Sequence, residues 1–178
     1  MVVTLIGYRG SGKTTVASQL AARLGFDWID ADAVIEEFAG CSIRDIFAAE
    51  GEAGFRRRER EVIANLLQRD RLVLAAGGGA ILNADTRRDM QAAGPVVWLQ
   101  ASLEVLAGRI AGDPTTAGRR PNLAGGGAAE IAQLLTEREP LYRECATLSI
   151  FTDQLAIPEI VERIAGAVND HHVRGGSL

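Results

Sequence analysis

A doubly wound α/β fold, with a five-stranded parallel sheet flanked by helices, is what this 178-residue chain predicts, and three observations carry the prediction. Short apolar or β-branched runs alternate with stretches of helical spacing along the chain. The first strand-to-helix turn reads Gly7-Tyr8-Arg9-Gly10-Ser11-Gly12-Lys13-Thr14, the string G-x-x-x-x-G-K-[ST]. Its glycines let consecutive backbone N–H groups close around a polyphosphate at a helix N-terminus. The remaining conspicuous clusters, Asp30 with Asp32 and Gly77-Gly78-Gly79, follow directly on the second and third runs. An open parallel sheet collects its ligands at those carboxyl ends.

Each element has a local reason. Val2 to Ile6 suits a buried strand, and Thr14 to Leu24 opens a helix that Gly25 ends as its C′ residue. Phe26 to Asp30 returns as a strand with acids at its exit, completing one β-α-β unit. Val34, Ile35 and Phe38 have helical spacing up to Gly40, and Ser42-Ile43-Arg44-Asp45 resembles a capping box for a helix through Ala49, closed by Gly51. From Glu52 to Arg69 a long helix turns Phe55, Val62, Ile63, Leu66 and Leu67 inward and Arg56, Arg57, Arg58 and Arg60 mostly outward. Leu72 to Ala76 is the third strand, and in the triple glycine after it the backbone can approach a ligand closely.

Asp85 to Ala93 is helical and ends at Gly94, Pro95 to Gln100 is the fourth strand, and Ser102 caps a helix to about Ala111. Residues 112 to 127, GDPTTAGRRPNLAGGG, lose all periodicity, which fits a mobile loop over a site. Ala128 to Arg138 resumes as a helix before Pro140, Thr147 to Phe151 is the fifth strand, and Pro158 to Val168 is the last helix. Residues 169 to 178, with His171 and His172, read as a disordered, solvated tail, leaving a single domain over 1 to 168.

Composition narrows the partners. A net charge of −4 and a pI near 5.3 disfavour nucleic acid or a membrane surface as the main partner and point to a small molecule. Cys41 and Cys145 have no companion at disulfide-framework or metal spacing, and no signal peptide or membrane-spanning stretch precedes the first strand, so the expected setting is the cytoplasm. Of nineteen basic residues Lys13 is the one lysine, kept where a compact, flexible ammonium fits and a planar guanidinium does not.

Phosphoryl transfer requires held phosphates, neutralised charge and an acceptor hydroxyl in line. Lys13 is placed to reach the β- and γ-phosphates, and the Thr14 hydroxyl to ligate Mg²⁺. Asp30 suits Mg²⁺ through water, and Asp32 suits orienting or deprotonating an acceptor hydroxyl, unless it simply caps its helix. Among Arg56, Arg57 and Arg58, at most one or two share a helix face.

With these residues in place, the chain resembles the shikimate kinases of aromatic amino-acid biosynthesis over residues 1 to about 168. The likeness rests on the phosphate loop, on Asp30-Ala31-Asp32 for the family's D-x-D, on Phe55-Arg56-Arg57 for its F-R-x, on Gly77-Gly78-Gly79, on Arg120-Pro121 in the lid, and on Arg138-Glu139-Pro140-Leu141-Tyr142 for R-x-P-L-Y. The resemblance implies a phosphate-loop kinase with an acceptor-binding segment near 32 to 60 and a lid near 112 to 127, acting as a monomer on ATP and shikimate with Mg²⁺. By the same resemblance Asp32, Arg56, Gly77, Gly78, Gly79 and Arg138 bind shikimate. Gly10, Ser11, Gly12, Lys13, Thr14, Thr15, Arg109, Arg120 and Gln154 attend to ATP, Thr14 and Asp30 to the metal, and Lys13, Asp32 and Arg120 to catalysis. The chain departs from the pattern in two places: the lid has Asn122 where leucine is usual, and Gln154 with Leu155 stands where arginine or asparagine often lies near adenine.

Other readings compete. A nucleoside monophosphate kinase shares the loop and lid, but paired acids suit a neutral hydroxyl better than a phosphate. Gluconate kinase is the nearer rival, because gluconate is also a polyhydroxy carboxylate. A GTPase is excluded, since its N-K-x-D needs a second lysine. A catalytically silent nucleotide-binding module would have been free to lose Lys13, Asp32 or Arg120, and all three are present.

Overall fold

The computed structural model describes residues 1–112 and 127–175, with the backbone alone for 171–175. Five strands form one parallel sheet: β1 (Val2–Ile6), β2 (Asp27–Asp30), β3 (Leu72–Ala75), β4 (Val96–Gln100) and β5 (Leu148–Phe151). Their order is β2-β3-β1-β4-β5, with Val3 beside Val73, Leu5 beside Val97 and Trp28 beside Val73. The helices are α1 (Lys13–Leu24), α2 (Ala31–Ala39), α3 (Ile43–Leu66), α4 (Ala84–Ala93), α5 (Leu103–Gly112), α6 (Ala128–Cys145) and α7 (Ile157–Gly175).

Alternation along the strands builds two cores. Val3, Leu5, Val73, Val97 and Leu99 face one way and pack with Val16 and Leu20 of α1 and Ile160 and Ile164 of α7. Val2, Ile6, Leu72, Leu74 and Trp98 face the other way, onto Ile35, Phe55, Ile63, Met90 and Tyr142 from α2, α3, α4 and α6. Each fully buried leucine or isoleucine contributes about 1.5–3 kcal/mol, so this two-sided burial is what ties the helices to the sheet. It also fixes the register, since a one-residue slip would exchange the two faces.

Three boundaries differ from the sequence reading. The two helices expected on either side of Gly51 are both present, joined in α3 across a kink at Gly51, which is non-helical at φ 68° and ψ −174°. The second of them stops at Leu66 instead of Arg69. Helix α6 does not end at Arg138 but continues through Pro140 to Cys145. Pro140 forfeits one backbone hydrogen bond, yet Arg138, Tyr142 and Cys145 lie at helical spacing and are all buried, and that tertiary anchoring outweighs the loss. Residues 169–175, expected as disordered tail, prolong α7. The apolar stripe Ile160, Val161, Ile164, Ala165, Val168 is buried to its end, and neither proline nor glycine interrupts the next turn.

Candidate active site

The turn from β1 into α1 is shaped by what its neighbours leave room for. At Gly7, φ is 144°, and a Cβ there would lie 2.5 Å from the Leu99 carbonyl oxygen, so only glycine lets this loop pass β4. Gly12 serves as the N-cap of α1 without a side-chain capping bond, leaving the first N–H groups of the helix directed at the loop. Lys13 Nζ donates to the Gly7 and Tyr8 carbonyls, both at 3.0 Å, which folds the ammonium back over the loop.

At the end of β2, Asp30 does two jobs. Its Oδ1 accepts from the Asp32 backbone N–H at 3.0 Å, capping α2, and its Oδ2 accepts from the Thr14 hydroxyl at 2.8 Å. The alternative that Asp32 merely caps its helix does not hold, since Asp30 supplies the cap and the Asp32 carboxylate stands in the first turn of α2. Thr14 and Asp30 together offer two hard oxygens side by side. Such a set suits Mg²⁺, which keeps waters and phosphate oxygens as its other ligands.

The acceptor side is built on buried charge. Arg56 donates from Nη1 to Oε2 of Glu59 at 2.6 Å, and from Nη2 and Nε to Oε1 of Glu52 at 3.1 and 3.3 Å. Glu59 is only 3% exposed, so this is a desolvated pair that locks the guanidinium in place. Gly79 is the floor beneath it: a Cβ there would come within 2.4 Å of two Arg56 nitrogens. From α6, Arg138 donates to the Gly78 carbonyl at 3.4 Å with its guanidinium 5.8 Å from the centre of the Tyr8 ring. The Tyr142 hydroxyl donates to the same carbonyl at 2.5 Å, and its ring stacks on Trp98. Burial pushes the Tyr8 hydroxyl above its usual range against the pull of Arg138 and Arg9, and Glu130 adds to the rise.

One cleft, with a volume of about 660 Å³, gathers these groups at the carboxyl ends of the strands. Gly10, Ser11, Gly12, Lys13, Thr14, Thr15 and Arg109 line it from the loop side, and Asp30, Asp32, Arg56, Gly77, Gly78 and Arg138 from the other. Arg109 Nη1 also donates to the Gly10 carbonyl at 3.3 Å. Gln154 sits exposed in the turn after β5 and is not part of the lining, where Thr152 and Leu155 stand instead. Gly79 likewise lies behind the wall. Apart from Gly112 and Gly127 at its ends, the expected lid falls outside the described residues, and Arg120 with it.

Sequence reasoning missed Tyr8, Glu52, Glu59, Glu130 and Tyr142. For the two glutamates a signal existed, since they stand four before and three after Arg56 on one helix face. Tyr142 closes the R-x-P-L-Y segment, but nothing local marks its partner Gly78, 64 residues away.

Comparison with known proteins gives a consistent result. The family model for shikimate kinase matches residues 9–169. A shikimate kinase of Symbiobacterium thermophilum is 40% identical over 176 residues, 98% of this chain and 100% of its own length. One from Rhodopirellula baltica is 44% identical over 164 residues, 92% of this chain and 88% of its own. Among solved structures, shikimate kinase from Acinetobacter baumannii in complex with shikimate has a TM-score of 0.88 at 37% identity, covering 95% of this chain and 93% of that one. A gluconokinase from Sinorhizobium meliloti, at 15% identity and a TM-score of 0.60, shares the fold alone.

Proposed function

The chain belongs to the shikimate kinase family and catalyses the ATP-dependent phosphorylation of shikimate; from that premise we propose how the residues of its cleft divide the work. The observation that carries the assignment of roles is the shared cavity. The phosphate loop with Lys13 forms one end of the space, and Asp32, Arg56 and Arg138 form the other.

ATP lies with its phosphates on the N–H groups of Gly10 to Thr15, and Lys13 moves from the Gly7 and Tyr8 carbonyls onto the β- and γ-phosphates. Thr14, and Asp30 through water, would hold Mg²⁺, which would offset the phosphate charge. Arg109 lies toward adenine, as does the turn at Gln154. The shikimate carboxylate meets Arg56 and Arg138, whose forks fix the ring so that its 3-hydroxyl faces Asp32. The Asp32 carboxylate takes the hydroxyl proton as oxygen attacks the γ-phosphorus, the bond to the β-phosphate oxygen breaks, and ADP and shikimate 3-phosphate remain. Arg120 reaches the transferring group when the lid closes and water is excluded. The enzyme works as a monomer in the cytoplasm, and the two lone thiols, Cys41 and Cys145, fit a reducing compartment. No helix among the described residues is long and apolar enough to cross a membrane.

A coupled assay of ADP release against shikimate, gluconate and nucleoside monophosphates tests the function directly, with turnover expected on shikimate. Two site tests follow. Replacing Arg56 or Arg138 by lysine is expected to weaken shikimate binding by about 1.5–3 kcal/mol per charged hydrogen bond lost, with ATP affinity little changed. Calorimetric titration of both ligands reads this out, and unaltered shikimate affinity in both variants would sink the clamp. Arg120→Ala is expected to lower kcat by about 10² with a far smaller change in shikimate affinity. An unchanged kcat would leave that arginine no catalytic part.

A further inference from the structure

We propose that Arg9 is a specificity-determining residue of the acceptor site, a guanidinium that joins Arg56 and Arg138 on the carboxylate of the acceptor. The proposal rests on the kinase reading above and adds to it a contact that the sequence motif leaves open, since Arg9 occupies one of its unspecified positions.

The argument begins from which charges are already committed. Arg56 has Nε and both terminal nitrogens engaged on Glu52 or Glu59, two acids that outnumber its single charge. Arg138 gives one terminal nitrogen to the Gly78 carbonyl. Arg9 lines the same cleft, and among the described residues its guanidinium has neither a hydrogen bond nor an ion pair. An anion entering the cleft therefore finds in Arg9 a cation that must break no existing contact to receive it.

Position then selects the acceptor over the nucleotide. The Arg9 backbone nitrogen lies 3.5 Å from where a Cβ on Gly78 would sit, so this residue is at the seam between the phosphate loop and the glycine wall. Gly78 is the residue whose carbonyl seats Arg138 and Tyr142. The Arg138 guanidinium lies 5.8 Å from the centre of the ring of Tyr8, the residue next to Arg9 in the loop, and both arginines favour the ionised Tyr8 hydroxyl. The nucleotide phosphates already have Lys13 and the loop N–H groups, whereas on the acceptor side Arg56 is shared between Glu52 and Glu59. A planar fork added there matches a carboxylate in both charge and shape.

Steady-state kinetics on the full chain, varying shikimate and ATP separately, test the idea in Arg9→Met and Arg9→Lys. The expected result for Arg9→Met is a rise of about tenfold in KM for shikimate, the size of one lost charge-assisted hydrogen bond at a partly exposed site, with KM for ATP and kcat nearly unchanged. Arg9→Lys should recover part of the loss. The preference of the parent enzyme for shikimate over its neutral carboxamide analogue should shrink by a similar factor in Arg9→Met, a readout that depends on the carboxylate alone. An unchanged KM for shikimate, or a loss that falls on ATP or kcat, overturns the proposal while parental turnover of shikimate leaves the family reading standing. Absence of parental turnover on shikimate would overturn both.

Discussion

Lys13→Ala is expected to reduce kcat by at least about 10³, because a positive charge aimed at the transferring phosphate is worth most in a site that excludes water. The side chain donates to two loop carbonyls at 3.0 Å, so its removal also loosens the loop. That second effect is small. Two partly solvated hydrogen bonds contribute about 1 kcal/mol each at most, against the two-sided core beneath. The variant should therefore melt within a few degrees of the parent, retain its circular dichroism spectrum and fail in a coupled ADP assay. Lys13→Arg should rescue little, since a planar guanidinium cannot lie between the Gly7 and Tyr8 carbonyls and then swing onto phosphate as an ammonium can. Turnover near the parental rate in Lys13→Ala would remove the loop from the chemistry.

Asp32→Asn comes next in size, with kcat expected to fall by about 10²–10³, the usual contribution of a positioned general base. The substitution preserves shape, and α2 keeps its cap because Asp30, not Asp32, accepts the capping N–H. Shikimate affinity should change by much less than kcat, since the amide still holds the hydroxyl while no longer accepting its proton. This split between binding and rate separates a catalytic part from a purely structural one. An Asp32→Asn enzyme with parental kcat would show that the hydroxyl proton leaves by another route.

Much of the lining of the cleft is legible in the sequence alone, and the reason is chemical. Phosphate binding at a strand-to-helix turn requires particular residues at adjacent positions, so Gly7 to Thr14 announce themselves in one short window. Asp30 and Gly77 were legible for a related reason: each comes directly after an apolar run, and parallel strands deliver their carboxyl ends to one edge. The shortfalls lie where a residue answers to something distant. Pro140 argued for a helix end, and the buried face of Arg138, Tyr142 and Cys145 overrode it. The turn after β5 turns Leu155 into the cleft and leaves Gln154 exposed, a choice that no local pattern marks.

By itself, then, the sequence determined the alternation of strands and helices, the phosphate loop and the acids and arginines available to the acceptor. These follow from local rules of backbone geometry, periodicity and residue chemistry. Only the tertiary structure decided that Glu59 would be buried against Arg56, that Gly79 would make room for that pair, and that Gly78 would receive Arg138 and Tyr142 from a helix 60 residues and more away. Such pairings depend on which faces the two cores press together. Burial raises the penalty for an unpartnered charge or carbonyl, and it is that long-range penalty, invisible to any local window, that selects the partners.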